Sequence, residues 1–559
     1  MLELKNVTSS ITAKGNKINL LEDISLCFQP GQLIAIVGPS GCGKTSFIKA
    51  IAGMNDTSEG QIIWKGTDLE EKDFAPHELG YVPQFSISCE DLTVMENVRY
   101  AANLRISLPK DQVELHLEQV LKQTGLFELA DKPVKVLSGG QKRRLSLAIE
   151  LTANPEALLC DEVTSGLDLH SENEIVKLLK SLAVEQNRLV LSVTHSLENL
   201  KDYDAVVVLF AGRLCYHGPP DMILHYFRAE NASGIYHQLP NMEPENWAEE
   251  WNKLSNRYTI PENDKSFQQE EEVNQTVTPN FFKQTSTLLS RRWKILFRDK
   301  TQVFITLALI IGFPLIVMLF SDQGRETIRQ LSDTQDVIFR DAINKAERKA
   351  DQLLVGSAVS GIIMFQIILL CLTGSNNSAR EISGERQIWE KERLAGVSPA
   401  SYLTSKILFL SVLVFIQSTV MAFLVELAWP FRGNFMLHWA SLILINSAMT
   451  MICLAISSLL KNPAQSSLLS IYFVGFQLPL SGAILTLPNI PEKVSRSFIS
   501  AYWSWSASID ALQGNIHSAV KAVSGTGISD MLPCFIVLIG HIIFGFIFTI
   551  IGINRSLSN

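Results

Sequence analysis

The octapeptide Gly38-Pro39-Ser40-Gly41-Cys42-Gly43-Lys44-Thr45 follows directly on Gln32-Leu33-Ile34-Ala35-Ile36-Val37. That preceding run is short and apolar, as a fully buried parallel strand must be. Behind it, Ile48 and Ile51 carry a helical spacing. A glycine-rich turn between a strand and a helix is the setting in which backbone amides converge on phosphate groups at a helix N-terminus. Lys44 is placed to neutralise the β and γ phosphates of a nucleotide. Thr45 is placed to offer its hydroxyl to Mg²⁺. Eight residues can match such a pattern by chance, but seldom with the strand before and the helix after.

A second buried strand, Ala157-Leu158-Leu159-Cys160, ends in Asp161-Glu162. Beside a phosphate loop, Asp161 would hold Mg²⁺ through its water shell and Glu162 would polarise an attacking water. A strand ending in two carboxylates is by itself a weak signal. About twenty residues upstream stands Leu137-Ser138-Gly139-Gly140-Gln141. That pentapeptide resembles the signature of the ATP-binding-cassette (ABC) ATPases, and the resemblance covers residues 1–225. It implies an α/β P-loop ATPase domain with a helical signature subdomain, and ATP and Mg²⁺ as cofactors. In that family Ser138, Gly139, Gly140 and Gln141 would close on the γ-phosphate held by a second subunit, so a monomer would be catalytically incomplete.

Further positions match the same family one at a time. Gln84, in Tyr81-Val82-Pro83-Gln84, is similar to the glutamine that senses Mg²⁺ and couples to the membrane domain. Ser165-Gly166-Leu167-Asp168 resembles the loop that crosses the dimer interface. His195 resembles the switch histidine that contacts the γ-phosphate; a histidine after a strand is otherwise often incidental. One position departs from the family: no Phe, Tyr or Trp precedes Phe28, so the usual aromatic partner for adenine is missing from that stretch.

The chain has 559 residues, too many for one ordinary core. Its apolar residues are unevenly spread, and the net charge of −8 averages two unlike halves. No basic stripe points to nucleic acid. Met1-Leu2-Glu3-Leu4-Lys5 lacks the basic and apolar segments of a secretory signal, which predicts a cytoplasmic start. The eight cysteines show no metal-ligand spacing and read as small buried hydrophobes with free thiols. Residues 226–278, with Pro261 to Lys265 and Glu270-Glu271-Glu272, read as an acidic, solvated linker. Residues 279–299 form an amphipathic connecting helix: Phe281, Thr285, Leu288, Leu289, Trp293 and Leu296 share one face, with Arg291, Arg292, Lys294 and Arg298 around it. Such a helix suits a membrane surface, and a plain packed helix is the alternative.

Residues 300–559 read as an all-α transmembrane domain of six spans. Six stretches, within 301–320, 352–379, 407–425, 433–460, 462–491 and 531–554, carry no Asp, Glu, Lys or Arg. Each is long enough for the ~20 residues a bilayer crossing needs. An even count places both termini on the cytoplasmic side with the ATPase domain, and basic residues from Arg291 to Lys300 fit a cytoplasmic flank. Two external parts are expected, a charged segment at 321–351 and a long loop at 488–530.

The connector Arg380 to Gly396 resembles the coupling region of the G-subfamily of ABC transporters, which also places the ATPase domain first and includes lipid, sterol and multidrug exporters. Asp161 to Asp168 and Leu480-Ser481-Gly482 resemble the same subfamily. The resemblance implicates Phe365, Leu369, Phe473, Phe476 and Leu480 in a central pathway, with Ala483 and Ile484 near a plug; each could equally face lipid. It implies an integral protein of the plasma or inner membrane, a half-transporter that pairs with a second half-transporter, either another copy or a different chain. The substrate it would export is hydrophobic or amphipathic, a lipid or a drug-like molecule. A membrane-anchored ATPase that passes force or a signal to external partners without transport is the alternative, and 321–351 is its support.

Overall fold

The computed structural model describes all residues except 14–15, 56, 72–73, 76, 108, 198, 259–278, 321–341, 484–487 and 556–559. Its contacts divide the chain into two units. One is Met1–Thr287 with Lys391–Ser398, and the other is Leu288–Glu390 with Pro399–Asn559.

In the first unit the strands are β1 (Leu2–Ala13), β2 (Asn16–Phe28), β3 (Leu33–Val37), β4 (Glu59–Trp64), β5 (Thr67–Asp68), β6 (Leu79–Val82), β7 (Ala157–Cys160), β8 (Leu189–Val193), β9 (Ala205–Phe210) and β10 (Arg213–Gly218). Strands β2-β1-β4-β5 make an antiparallel sheet, and β10-β9-β3-β8-β7-β6 make the larger one. Within the larger sheet β3 pairs parallel with both β8 and β9, β7 pairs parallel with β6 and β8, and only β10 runs antiparallel. Strands β3, β7 and β8 are buried at every position, which is why they read as continuous apolar runs rather than as alternating ones. The carboxyl ends of neighbouring parallel strands are where such sheets present ligand sites.

The helices of this unit are α1 (Lys44–Ile51), α2 (Val94–Arg105), α3 (Lys110–Gln123), α4 (Gly139–Leu151), α5 (Leu169–Glu185), α6 (Ile223–Phe227), α7 (Ala232–Gln238) and α8 (Pro244–Leu254). The expected helical subdomain is α2 to α4. A capping box of Thr93 and Glu96 starts α2. Its last residue, Arg105, forms a forked ion pair with Glu150 of α4 at 2.9 and 3.1 Å, with both side chains about 5% exposed. Lys391, assigned to the same unit, places its Nζ 2.8 Å from the other side of that carboxylate.

The boundary expected at residue 225 falls inside α6, and the linker reading of 226–278 holds for no described part of it. Tyr226, Phe227, Trp247 and Trp251 are buried in the same core as Tyr216. The Tyr226 and Phe227 rings lie 6.1 and 5.2 Å from that of Trp247. The four-residue spacing of Trp247 and Trp251 puts both indoles on one face of α8, and that face covers the sheet. The acidic run at 270–272 lies outside the described residues. The cysteines are free, and six of the eight are buried as expected. Cys27 is exposed and Cys89 half-buried, because β2 lies at a sheet edge and Cys89 precedes α2 in a loop.

In the second unit, α9 (Phe281–Arg298), whose first turns belong to the first unit, is followed by α10 (Lys300–Phe320), α11 (Ala342–Ser378), α12 (Arg386–Leu394), whose residues from Lys391 on belong to the first unit, α13 (Pro399–Ala428), α14 (Phe435–Leu459), α15 (Pro463–Gln477), α16 (Asn489–Arg496), α17 (Ser500–Asp510), α18 (Gly514–Val523) and α19 (Met531–Arg555). Among the described residues, five helices are long and apolar enough to cross a membrane. The sixth expected span, within 462–491, is the exception. Its helix α15 has 15 residues and rises roughly 22 Å, less than the ~30 Å of a hydrocarbon core. It gives way to a 3₁₀ turn at Pro479–Ser481, capped by Gly482 in the left-handed region at φ 76°. Absence of charge over 30 residues marked an apolar stretch, but proline and glycine inside it set where the helix stops. The long loop expected at 488–530 is helical over α16, α17 and α18. Of the charged segment at 321–351, positions 321–341 lie outside the described residues.

Helix α9 buries Leu288, Arg291, Arg292 and Leu296, so the packed-helix alternative accounts for one of its faces. The Arg292 guanidinium forks onto Glu381 at 2.7 and 2.9 Å and lies 4.4 Å from the Phe409 ring centroid. Three aromatics, Phe281, Phe282 and Phe297, remain exposed on the helix.

Candidate nucleotide site

Strand β3 delivers the phosphate loop. Gly38 has φ 154°, and a Cβ there would meet Leu209 O at 2.2 Å. Gly43, at φ 103°, caps α1 without a side chain. Only glycine fits both places, because one position is pressed against β9 and the other is left-handed. Lys44 is 5% exposed, and its ammonium donates to the carbonyls of Gly38 and Pro39 at 2.8 and 3.0 Å. The loop thus folds its own cation over itself. Pro39, Ser40, Gly41 and Cys42 complete the turn; Cys42 is buried, and Gly41 has open space on its face.

Strand β7 delivers the two carboxylates. Asp161 follows its last residue and accepts from Thr45 Oγ1 at 3.2 Å. Tyr81 Oη, from β6, reaches its other oxygen at 3.4 Å. Burial pushes the Asp161 carboxyl above its ordinary range; the Thr45 hydrogen bond opposes this, and the charge on Glu162 adds to it. A cation beside Thr45 and Asp161 would relieve that penalty. A hydroxyl and a carboxylate are the hard oxygen donors Mg²⁺ prefers, with phosphate and water completing its shell.

Glu162 has φ 52°, in the left-handed region that residues with a side chain seldom adopt. The turn directs its side chain between two donors. Gln84 Nε2 donates to Oε2 at 2.7 Å, and His195 Nε2 lies 2.8 Å from Oε1. A carboxylate only accepts, so the histidine proton is on Nε2. The structure thereby gathers Gln84, Glu162 and His195 from the ends of β6, β7 and β8. Gln84 spends its Nε2 on Glu162, so a metal role would fall to its Oε1.

The signature residues sit apart from this cluster. Ser138 caps α4, accepting from Gln141 N at 3.3 Å, while Gln141 Oε1 accepts from Ser138 N at 3.0 Å. The Ser138 side chain is thus held at the start of a helix whose first amides point outward. Among the described residues none of Ser138, Gly139, Gly140 or Gln141 has a hydrogen bond to the phosphate loop. A Cβ on Gly139 would lie 3.8 Å from Leu167, and one on Gly140 3.6 Å from Ser171. Asp168 caps α5, accepting from the Ser171 amide and hydroxyl at 3.0 and 2.8 Å, which holds its carboxyl below the ordinary range.

Two neighbours escaped the sequence reading. One is Tyr81, visible only once β6 and β7 pair. The other is Arg143, whose guanidinium is lowered by burial and raised in turn by the charge of Glu162. A single arginine in a helix gives no signal of that proximity.

Of the expected pathway residues, Phe476 is 58% exposed and Leu369 is 6% exposed. Phe365, Phe473, Leu480 and Ala483 are half-buried, and Ile484 lies outside the described residues.

The family model described as ABC transporter matches residues 21–165. The model described as ABC-2 type transporter matches residues 283–517. The ABC transporter ATP-binding/permease protein Rv1747 of Mycobacterium tuberculosis is 30% identical over 522 residues, 91% of this chain and 57% of its own length. ABC transporter G family member 4 of Arabidopsis thaliana is 30% identical over 324 residues, 56% of each chain. The chain therefore spans little more than half the length of these curated relatives. A solved dimeric structure of the ATP-binding cassette MJ0796, bound to ADP and Pi, is 27% identical, with a TM-score of 0.37; it covers 39% of this chain and 99% of its own.

Proposed function

Because the chain belongs to the ABC transporter family, with an ATP-binding cassette ahead of an ABC-2 type membrane domain, we propose that it is an ATP-driven half-transporter that works as a dimer and exports a hydrophobic or amphipathic molecule. The single observation that carries the chemistry is Glu162, held between Gln84 and His195 beside the Thr45–Asp161 pair. ATP binds with its phosphates on the amides of Gly38 to Thr45, and Lys44 leaves its two carbonyls for the β and γ phosphates. Thr45 and Asp161 hold Mg²⁺, which when bound neutralises phosphate charge. Glu162 takes a proton from water as its oxygen attacks the γ phosphorus. The bond to the bridging oxygen breaks, leaving ADP and phosphate. His195 and Gln84 orient the base and the γ-phosphate.

Dimerisation is supported by the signature. Ser138 and Gly139 are exposed at the start of α4, where capped helix amides suit an anion from a second copy. ATP held between two cassettes favours the closed pair, and that difference in affinity supplies the work. Counting α15 as a short sixth crossing, both termini lie in the cytoplasm and the protein resides in the plasma or inner membrane. Export rests on the domain order shared with the G-subfamily. The apolar lining of Phe365, Leu369, Phe473, Phe476, Leu480 and Ala483 suits a lipid or a drug-like substrate.

The test is reconstitution into proteoliposomes with a fluorescent lipid or dye. ATP with Mg²⁺ should drive flux in the wild type and none in Glu162→Gln. ATP hydrolysis with no flux of any probe would favour an anchored ATPase instead.

A further inference from the structure

Helices α11, α13 and α14 meet around Gly374 in a knot of carboxamides and hydroxyls. Asn377 Nδ2 donates to Gln417 Oε1 at 2.8 Å, and Asn446 Nδ2 donates to Ser418 Oγ at 3.1 Å. These two bonds fix which way each amide faces. Gln417 turns its Nε2 away from Asn377, and Asn446 turns its Oδ1 away from Ser418. A Cβ on Gly374 would lie 3.1 Å from Asn446 Oδ1 and 3.0 Å from Thr450 Oγ1, so both oxygens crowd the bare backbone of that glycine. Gln417, Asn446 and Thr450 are 2%, 0% and 2% exposed. Yet Gln417 Nε2, Asn446 Oδ1 and Thr450 Oγ1 have no hydrogen-bond partner among the described residues.

Three such atoms on two packed helices, two of them beside the backbone of Gly374, demand an explanation. An orphaned buried polar group is costly, and a lipid-embedded core offers no bulk solvent to relieve it. The unpaired set is complementary: an amide N–H donor, a carbonyl acceptor, and a hydroxyl that serves as either.

We propose that the junction of α11, α13 and α14 is a binding site for ordered water inside the protomer. The water accepts from Gln417 Nε2 and donates to Asn446 Oδ1 and Thr450 Oγ1. One molecule thereby satisfies all three atoms, within the two to four partners buried water ordinarily has. The site uses none of the residues assigned to the pathway. It links α13 to α14, and the direct Asn377–Gln417 bond ties α11 to the same pair.

The test uses the full chain in lipid nanodiscs. Cryo-electron microscopy at a resolution that shows other buried waters should reveal a peak within hydrogen-bond distance of all three atoms. Thr450→Val should remove that peak and lower the unfolding temperature, while Thr450→Ser should retain both peak and temperature. A wild-type map without the peak overturns the proposal. So does a Thr450→Val protein as stable as the wild type or more so, because removing an orphan hydroxyl from a dry core is neutral or stabilising.

Discussion

His195 Nε2 lies 2.8 Å from Glu162 Oε1, which joins the end of β8 to the end of β7 through one hydrogen bond. With Gln84 on the other oxygen at 2.7 Å, the carboxylate is held from both sides. Holding it there requires φ 52° at Glu162, a conformation of the kind retained where a site demands it.

Replacing that carboxylate removes the base but leaves the shape. Glu162→Gln should reduce ATP hydrolysis about 10²–10⁴-fold and leave nucleotide bound to a closed dimer. Phosphate release and retention of labelled ATP after gel filtration check this. Undiminished turnover would remove Glu162 from the mechanism.

The phosphate loop tolerates no side chain at Gly38. Gly38→Ala places a methyl group 2.2 Å from Leu209 O, so β9 or the loop must move. ATP affinity should fall at least tenfold, or about 1.4 kcal/mol, as measured by nucleotide titration of the purified protein. Gly41→Ala, where nothing lies within 4 Å but φ is 80°, should cost less.

Burial pushes the Glu150 carboxyl up, but Arg105 first and Lys391 after it overcome that and hold it below the usual range. A carboxylate depressed in the folded state contributes stability above the unfolded pKa of about 4.3, and that contribution is lost as pH falls toward the folded value. Glu150→Gln should therefore cost about 3–5 kcal/mol near neutral pH and narrow its gap to the wild type in acid. Thermal unfolding from pH 7 down to pH 3 measures both.

Glu381 accepts from Arg292 at 2.7 Å and from Lys406 at 2.9 Å, and Lys406 also reaches Glu385 at 2.6 Å. Glu381→Gln leaves two buried cations sharing one carboxylate, so the loss should be about 3–5 kcal/mol. Adding Lys406→Met should recover part of it, and a double-mutant cycle by thermal unfolding in detergent reads the coupling. Purely additive losses would mean that the three groups do not act as one cluster.

Much of the nucleotide site was legible beforehand because its parts are contiguous. Gly38 to Thr45 and Asp161-Glu162 each follow directly on a strand, and Leu137 to Gln141 leads from a 3₁₀ turn into α4, so local spacing is the geometry. Arg143 and Tyr81 were not legible, since their nearness to Glu162 and Asp161 arises from pairing between elements far apart in the chain. The same holds for Tyr226, Phe227, Trp247 and Trp251, whose polar neighbours resembled a tether until the rings met over the sheet.

The amino-acid order alone determined that a phosphate-binding cassette precedes a run of apolar helices, because glycine placement, buried strands and uncharged stretches are local properties. Only the tertiary structure decided that α15 stops short after 15 residues, that Arg292 and Lys406 share the Glu381 carboxylate, and that Gln84 and His195 grip Glu162. These depend on which distant side chains become neighbours when apolar surface is buried, and no window along the chain contains that information.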